Sequence, residues 1–384
     1  MGGIWSRPPR ALFGLLSATT ALEGARRRSA RPLRFLRRHV GSWGLVVALA
    51  ALPVYYALHD LIAGYQSGVV HGHAVIHHDL SQIGFNLLEG ISNGSIWALI
   101  AIGYTLVYGI IELINFAHGD VFTMGSFTSV AIWGALGLAV GTAVPGVIFG
   151  LILTLILTML VIGGLNVLIE RVGYKPLRSA PKLAPLITAI GFSFVLQNVG
   201  LLWHGGNPVA VADLVGSDNV LFNISGVAVH NRDVLAIGTT IPLVLGLNWF
   251  VGRTAPGRAM RATAQDPEAA RLMGINVNNS ISLTFMLGGM LAGAAGLIFA
   301  LYNANIYYLQ GFRAGLFAFT AAVMGGIGNI RGAVLGGLLI GIVQQLSDFR
   351  LGTQWTEALI FVYLILVMVL RPRGLLGEET REAG

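Results

Sequence analysis

From residue 84 to residue 370 the sequence is a succession of apolar stretches, most of them near the roughly 20 residues that a helix needs to cross a bilayer. Lipid offers no hydrogen bonds, so each such stretch must satisfy its own backbone, which the helix alone does within one segment. Only 11% of the 384 residues are charged, where soluble domains carry about a quarter. The expected fold is therefore all-α, a polytopic membrane protein with about ten transmembrane segments, one of them short or re-entrant. The expected crossings are 43–63, 87–111, 121–138, 146–169, 185–203, 234–251, 280–302, 315–324, 333–346 and 355–370. The 52 glycines favour close approach of helices in lipid, most clearly at Gly288, Gly289, Gly293 and Gly296. The absence of cysteine excludes disulfides and thiol chemistry.

Arginine sets the orientation. Residues 1–40 carry Arg7, Arg10, Arg26, Arg27, Arg28, Arg31, Arg34, Arg37 and Arg38 against Glu23. They read as a cytoplasmic tail, a mitochondrial transit peptide being the other reading of that composition. Much of the net charge of +7 belongs to this tail, so it is no sign of nucleic-acid binding. Arg171, Lys175, Arg178 and Lys182 mark a second cytoplasmic loop, Arg253, Arg258, Arg261 and Arg271 a third, and Arg371 and Arg373 the last. An even number of crossings places all of them on one side. The expected division is a tail at 1–40, an additional span and polar loop at 41–83, a main membrane domain at 84–373 and a tail at 374–384.

The polar stretch 257–276 lies between two of these crossings and reads as helix. Asp266 is an N-cap, Pro267 suits the first helical position, and Glu268 complements the positive end of the helix dipole. Gly274 closes the helix in a left-handed conformation. Ala269, Leu272 and Met273 then share one face at i, i+3, i+4 spacing, beside Ala270, on a helix outside the bilayer. Such a face is suited to being received by another protein.

Other polar groups stand within the apolar region. Glu112, Asn115, His118 and Asp120 crowd into one short stretch. They line a transport path around a broken helix, or they form a plain cytoplasmic turn; a hinge close to the path satisfies both readings. Gln197 and Asn198 lie in a span, where amides bond across helices and secondarily face a pathway. Residues 325–332 are dense in glycine, which points to a broken segment covered by protein or water. On the far side, 220–230 alternates around Ser225-Gly226 and reads as a hairpin. His71, His73, His77, His78 and Asp79 fall in a segment read as a solvated loop, since their spacing matches no metal-site pattern.

The sequence has no phosphate-binding Gly-x-x-x-x-Gly-Lys loop, no His-Glu-x-x-His, no Gly-x-Ser-x-Gly and no dinucleotide fingerprint on a strand. No catalytic residue, metal ligand or cofactor site is assigned, and the chain is not expected to be an enzyme. An ATP-driven transporter of this kind would need a separate engine, for which the exposed helix is a socket.

Asp266-Pro-Glu-Ala-Ala-Arg-Leu-Met-Gly274 resembles the cytoplasmic Glu-Ala-Ala…Gly loop of ABC importer permeases. Asn93-Gly-Ser-Ile-Trp-Ala-Leu-Ile-Ala-Ile-Gly-Tyr-Thr-Leu-Val-Tyr-Gly109, Leu113-Ile-Asn-Phe-Ala-His-Gly-Asp120, Gly257-Arg-Ala-Met-Arg-Ala-Thr-Ala264 and Phe319-Thr-Ala-Ala-Val-Met-Gly-Gly-Ile-Gly328 are similar to the branched-chain amino acid permeases of LivH type. The resemblance runs from about residue 84 to the C-terminus; proline would be expected where Arg331 stands. It implies a multi-pass protein of the bacterial inner membrane, coupled to its ATPases through 257–276. The implied partners are a second permease subunit, two ATP-binding subunits that bind the ATP, and a periplasmic substrate-binding protein. The implied substrates are branched-chain amino acids, with another amino acid or urea and short amides as alternatives. An ion-coupled secondary transporter using Glu112 or Asp120, or a channel with its selectivity constriction at 325–332, are readings of other classes; neither accounts for a capped helix exposed in the cytoplasm.

Overall fold

The computed structural model describes residues 44, 47, 49–70, 73–181 and 183–377. The arginine-rich tail 1–40, His71, Lys182 and the residues beyond 377 lie outside that set. The chain divides into two units, 1–51 and 52–384. The helices of the second unit are α1 (Leu49–Ile62, from Leu52 onward), α2 (Ser81–Ile111), α3 (His118–Ala135), α4 (Val144–Ile169), α5 (Leu183–His204), α6 (Asn231–Arg253), α7 (Ala255–Gln265), α8 (Pro267–Leu272), α9 (Val277–Asn303), α10 (Gln310–Gly325), α11 (Ile330–Arg350) and α12 (Thr353–Leu370). Among the described residues three two-stranded antiparallel pairs join them: β1 (Tyr65–Val70) with β2 (His73–His77), β4 (Val220–Ile224) with β5 (Val227–His230), and β3 (Val209–Ala210) with β6 (Asn305–Ile306).

Seven helices among the described residues are long and apolar enough to cross a membrane: α2, α4, α5, α6, α9, α11 and α12. The expected count of about ten is reached only by adding α1, α3 and α10, which fall short in length or hydropathy. The 16-residue α10 is the short segment expected near 315–324. The expected loop at 65–80 is instead the β1–β2 ribbon. Its alternation is obscured in the sequence by glycine and histidine within the run. Tyr65 stacks on His77 across the pair, at 5.6 Å between ring centroids. The expected hairpin at 220–230 is present, with Ser225 and Gly226 both at positive φ in its turn.

The arrangement follows from what lipid rewards. α2 and α9 are buried along most of their length, whereas α4, α5, α6 and α12 leave large apolar side chains such as Phe149, Leu202, Leu245 and Val369 on the outside. Water would penalise such a surface, while the hydrocarbon of a bilayer or a partner subunit accepts it. The most extensive packing is between α2 and α11. There the backbones nearly touch: a Cβ added at Gly337 would lie 2.5 Å from the Ala98 Cα, and one at Gly341 would collide with Gly90 and Gly94. Asn166 on α4 donates to the Phe285 carbonyl of α9 at 2.6 Å, a polar tie between helices in an apolar setting.

Among the described residues, the arginine-bearing segments after α4, after α6 and after α12 lie at one end. Arg178 bonds both Glu170 and Asn278. α7 packs on α2, α6 and α9. The C-terminal segment covers the glycine turn, with Leu375 N–H on the Met324 carbonyl and Leu376 N–H on the Gly325 carbonyl. That turn, Gly326 and Gly328 at positive φ, is thus shielded by protein, as irregular backbone requires. Asn329 caps α11 through the N–H groups of Arg331 and Gly332, so the helix begins here without proline at 331. Because the chain has no native cysteine, single cysteines report sidedness directly. Thiol labelling is expected to reach a cysteine at Arg171 from the cytoplasm and one at Asp218 from the opposite side. Both reacting from the same side would overturn this topology.

Candidate functional site: a capped surface helix and a cavity beside Asp120

The stretch 257–276 forms two helices rather than one. Thr254 caps α7 by accepting from Gly257 N–H at 3.2 Å. A Cβ at Gly257 would lie 2.5 Å from the Val251 carbonyl, so glycine lets α7 fold back on the end of α6. Arg261 bonds the same carbonyl. Asp266, extended at φ −155°, interrupts the helix, and Pro267 starts the next without needing a donor. The Asp266 carboxylate accepts from Glu268 N–H and Ala269 N–H, each at 2.9 Å. At the far end Gly274 takes φ +81°, and Ile275 N–H returns to the Ala270 carbonyl.

The exposed face of α8 is as expected from the spacing. Leu272 is 89% and Met273 82% exposed, with Glu268 and Ala269 also exposed. Ala270 differs: it is buried and anchors the helix to the bundle instead of presenting itself. Two large apolar side chains thus stand open beside each other on a helix capped at both ends.

The polar stretch after α2 is a break between two helices. Glu112 ends α2 in the left-handed region at φ 52°. The carbonyl oxygen of the Asn115 side chain accepts from Ala117 N–H at 3.1 Å and from the Tyr174 hydroxyl at 3.0 Å. It therefore ties the break to the segment following α4. His118 is fully buried with its ring edge-on to Tyr104, 4.8 Å between centroids, and neither ring nitrogen meets hydrogen-bond geometry with a partner among the described residues.

Asp120, 1% exposed, connects α3 to α5. Its Oδ2 accepts from the Ser193 hydroxyl at 2.5 Å and the Gln197 amide at 3.3 Å, while Oδ1 has no partner among the described residues. The sequence singles out Gln197 but not Ser193; the i, i+4 spacing of the two on α5 is the signal that could have found it. Asn198 departs from the expectation. It is exposed and bonds back to the Phe194 carbonyl of its own helix, so it neither ties helices together nor joins Asp120.

Ser193 and Gln197 open onto a cavity of about 660 Å³ bounded by α5, α10, the start of α12 and Phe116 of that break. It extends from Phe116, at the arginine-rich end, to Tyr307 at the other. Its walls are mostly apolar, with Arg313 and Glu357 as the charged exceptions. In the segment between the β1–β2 ribbon and α2, hydrogen bonds from Ser81 hold the Asp79 carboxyl below the usual carboxylate range. That corner keeps its charge through neutral pH and loses it only on acidification.

Asp120→Leu is expected to lower transport more than membrane abundance. The substitution strands the Ser193 and Gln197 donors at the cavity wall but puts an apolar side chain of similar size in the buried position. Uptake normalised to the amount of protein in the membrane separates the two effects. Disappearance of the variant from the membrane, or normal uptake, would remove Asp120 from the pathway.

Residues 86–369 match the family of branched-chain amino acid transport system permease components. The high-affinity branched-chain amino acid transport permease BraD of Pseudomonas aeruginosa is 40% identical over 80% of this chain and 98% of its own length. LivH of Escherichia coli K12 is 40% identical over 77% of this chain and 96% of its own. A protein described as a probable LivH from Methanocaldococcus jannaschii is 26% identical over 77% of this chain and 93% of its own.

Proposed function

The chain belongs to the family of branched-chain amino acid transport permeases, and from that premise we propose that it is one permease subunit of an ATP-driven importer of leucine, isoleucine and valine. It is a multi-pass protein of the bacterial inner membrane. A second permease completes the path, two cytoplasmic subunits bind and hydrolyse ATP, and a periplasmic binding protein delivers the substrate. This subunit itself holds no cofactor and performs no chemistry on the substrate. Residues 84–373 are the permease domain; 1–40 and 41–83 are an added tail and an added span with its ribbon, and 374–384 is a terminal tail.

The observation that carries this reading is α8, capped by Asp266, closed by Gly274 and exposing Ala269, Leu272 and Met273. Together with Glu268, these residues form the coupling contact with an ATPase, and Ala270 seats the helix. Asn115, His118 and Asp120 hold the hinge and the wall of the path, with Gln197 at its surface. The apolar walls of the cavity favour an aliphatic side chain over urea or a short amide. Affinity purification in mild detergent is expected to bring down an ATPase subunit, and leucine uptake by the complete transporter in proteoliposomes should require ATP and resist proton and sodium ionophores. Uptake that persists without ATP and collapses with an ionophore would sustain the ion-coupled alternative instead.

A further inference from the structure

In the outer half of the cavity, Arg313 on α10 and Glu357 on α12 face one another, with Arg313 Nε 3.1 Å from a Glu357 carboxylate oxygen. The side chains are 41% and 52% exposed. The contact is incomplete: Nε lacks hydrogen-bond geometry, and no hydrogen bond from the terminal guanidinium nitrogens is found among the described residues. The guanidinium lies over the Phe317 ring, 5.4 Å from its centroid, which fixes its position without using its donors. Beside this pair the cavity is walled by Ile190, Phe194, Leu316 and Phe319. Its polar floor, Ser193 and Gln197, is already engaged with Asp120.

An adjacent cation and anion at the edge of an apolar chamber are complementary to one class of small molecule: a free α-amino acid with an aliphatic side chain. We propose that this cavity is an amino-acid subsite within the permease, in which Arg313 receives the α-carboxylate, Glu357 the α-ammonium, and the apolar wall the side chain. The proposal rests on the reading of the chain as an amino-acid importer and assigns selectivity to the permease in addition to its binding protein. A planar guanidinium with unused terminal donors offers a carboxylate two parallel bonds. The existing ion pair is half in solvent, so opening it to admit the substrate's own two charges sacrifices little. Removal of either charge leaves the matching end of the zwitterion without its partner, and the apolar wall beside it offers no substitute. The placement also suits delivery, because α12 begins and α10 begins at the end opposite the arginine-rich face.

The test uses the complete transporter, with both permeases, its ATPases and its binding protein, in proteoliposomes. Leucine uptake and ATP hydrolysis stimulated by the loaded binding protein are measured for wild type, Arg313→Gln, Glu357→Gln, Ile190→Trp and the exchange Arg313→Glu with Glu357→Arg. Each single charge variant is expected to lose at least about tenfold in uptake while stimulated ATP hydrolysis is kept within about twofold. Ile190→Trp, which fills the chamber and leaves both charges, should reduce uptake of leucine more than that of alanine. The charge exchange should not restore uptake, because it presents the two charges to the substrate in reversed order beside the same wall. Full restoration by the exchange would mean a structural ion pair between α10 and α12 and would overturn the subsite. Normal uptake by Arg313→Gln and Glu357→Gln would overturn it as well, and an ordinary lipid chain would then be the better occupant. Failure of the wild-type transporter to import any branched-chain amino acid would instead overturn the functional reading on which the subsite depends.

Discussion

Ala269→Trp and Gly274→Val are each expected to leave the permease in the membrane at normal abundance while uptake falls to background. Ala269 is exposed on α8, so an indole there meets solvent in the isolated subunit and, if α8 docks as proposed, an ATPase surface in the assembled one. Overpacking a fitted contact costs about 1–3 kcal/mol, and every ~1.4 kcal/mol is a tenfold loss of affinity. At Gly274 space is not the obstacle, because an added Cβ would meet nothing within 4 Å. The obstacle is φ +81°, which a β-branched residue resists. Valine there would unwind the end of α8 and displace Leu272 and Met273. A pull-down of the ATPase with each variant, run beside a transport assay, reads both effects. Undiminished ATPase recovery with both variants would return α8 to the status of a connection between spans.

Arg350→Ala is expected to give the largest loss of stability. Asp60 on α1 is fully buried and bonded to Arg350 at the end of α11, and Arg350 also lies over the Tyr56 ring, 5.4 Å from its centroid. Truncating the arginine leaves a buried carboxylate without its cation, a change that costs about 3–5 kcal/mol. The double variant Asp60→Leu with Arg350→Met should recover most of that, since an apolar pair of similar volume carries no desolvation penalty. Thermal unfolding of the detergent-solubilised protein measures both. A melting temperature of Arg350→Ala equal to wild type would show that the pair does not hold α1 in place.

These two sites differ in how far the sequence reveals them. The Asp266 cap, Pro267, the exposed i, i+3, i+4 face and the closing Gly274 are all local features, so each can be read from neighbouring residues. The helices α4, α5, α6, α9 and α12 are legible for a similar reason: continuous apolar runs mark their length. Helix ends are less so. α2 begins at Ser81, ahead of the expected 87, because its first turns carry polar residues that face other protein rather than lipid. The pairing of Asp60 with Arg350, and of Ser193 with Asp120, joins residues distant in sequence, and no local pattern announces such contacts. Arg313 and Glu357 are hidden in the same way. Each reads alone as a charge near the end of an apolar segment, and only the fold makes them neighbours.

The seam between α2 and α11 has a consequence for how such a protein can move. Where Gly337 lies on Ala98 and Gly341 on Gly94, no layer of side chains separates the two backbones. Sliding of packed helices works by small adjustments of interleaved side chains, and at these points the backbones leave no room for them. A displacement by one residue, about 1.5 Å along the axis, would drive a Cα or a carbonyl of one helix into the backbone of the other. The pair is therefore expected to act as a fixed keel, tied further by Trp97 to Gln344 and by Gln345 to Glu89. Any opening and closing of the proposed path is then expected in helices outside this seam: α12, which packs on α11 and α10, and α5, which packs on α3, both lining the cavity with α10.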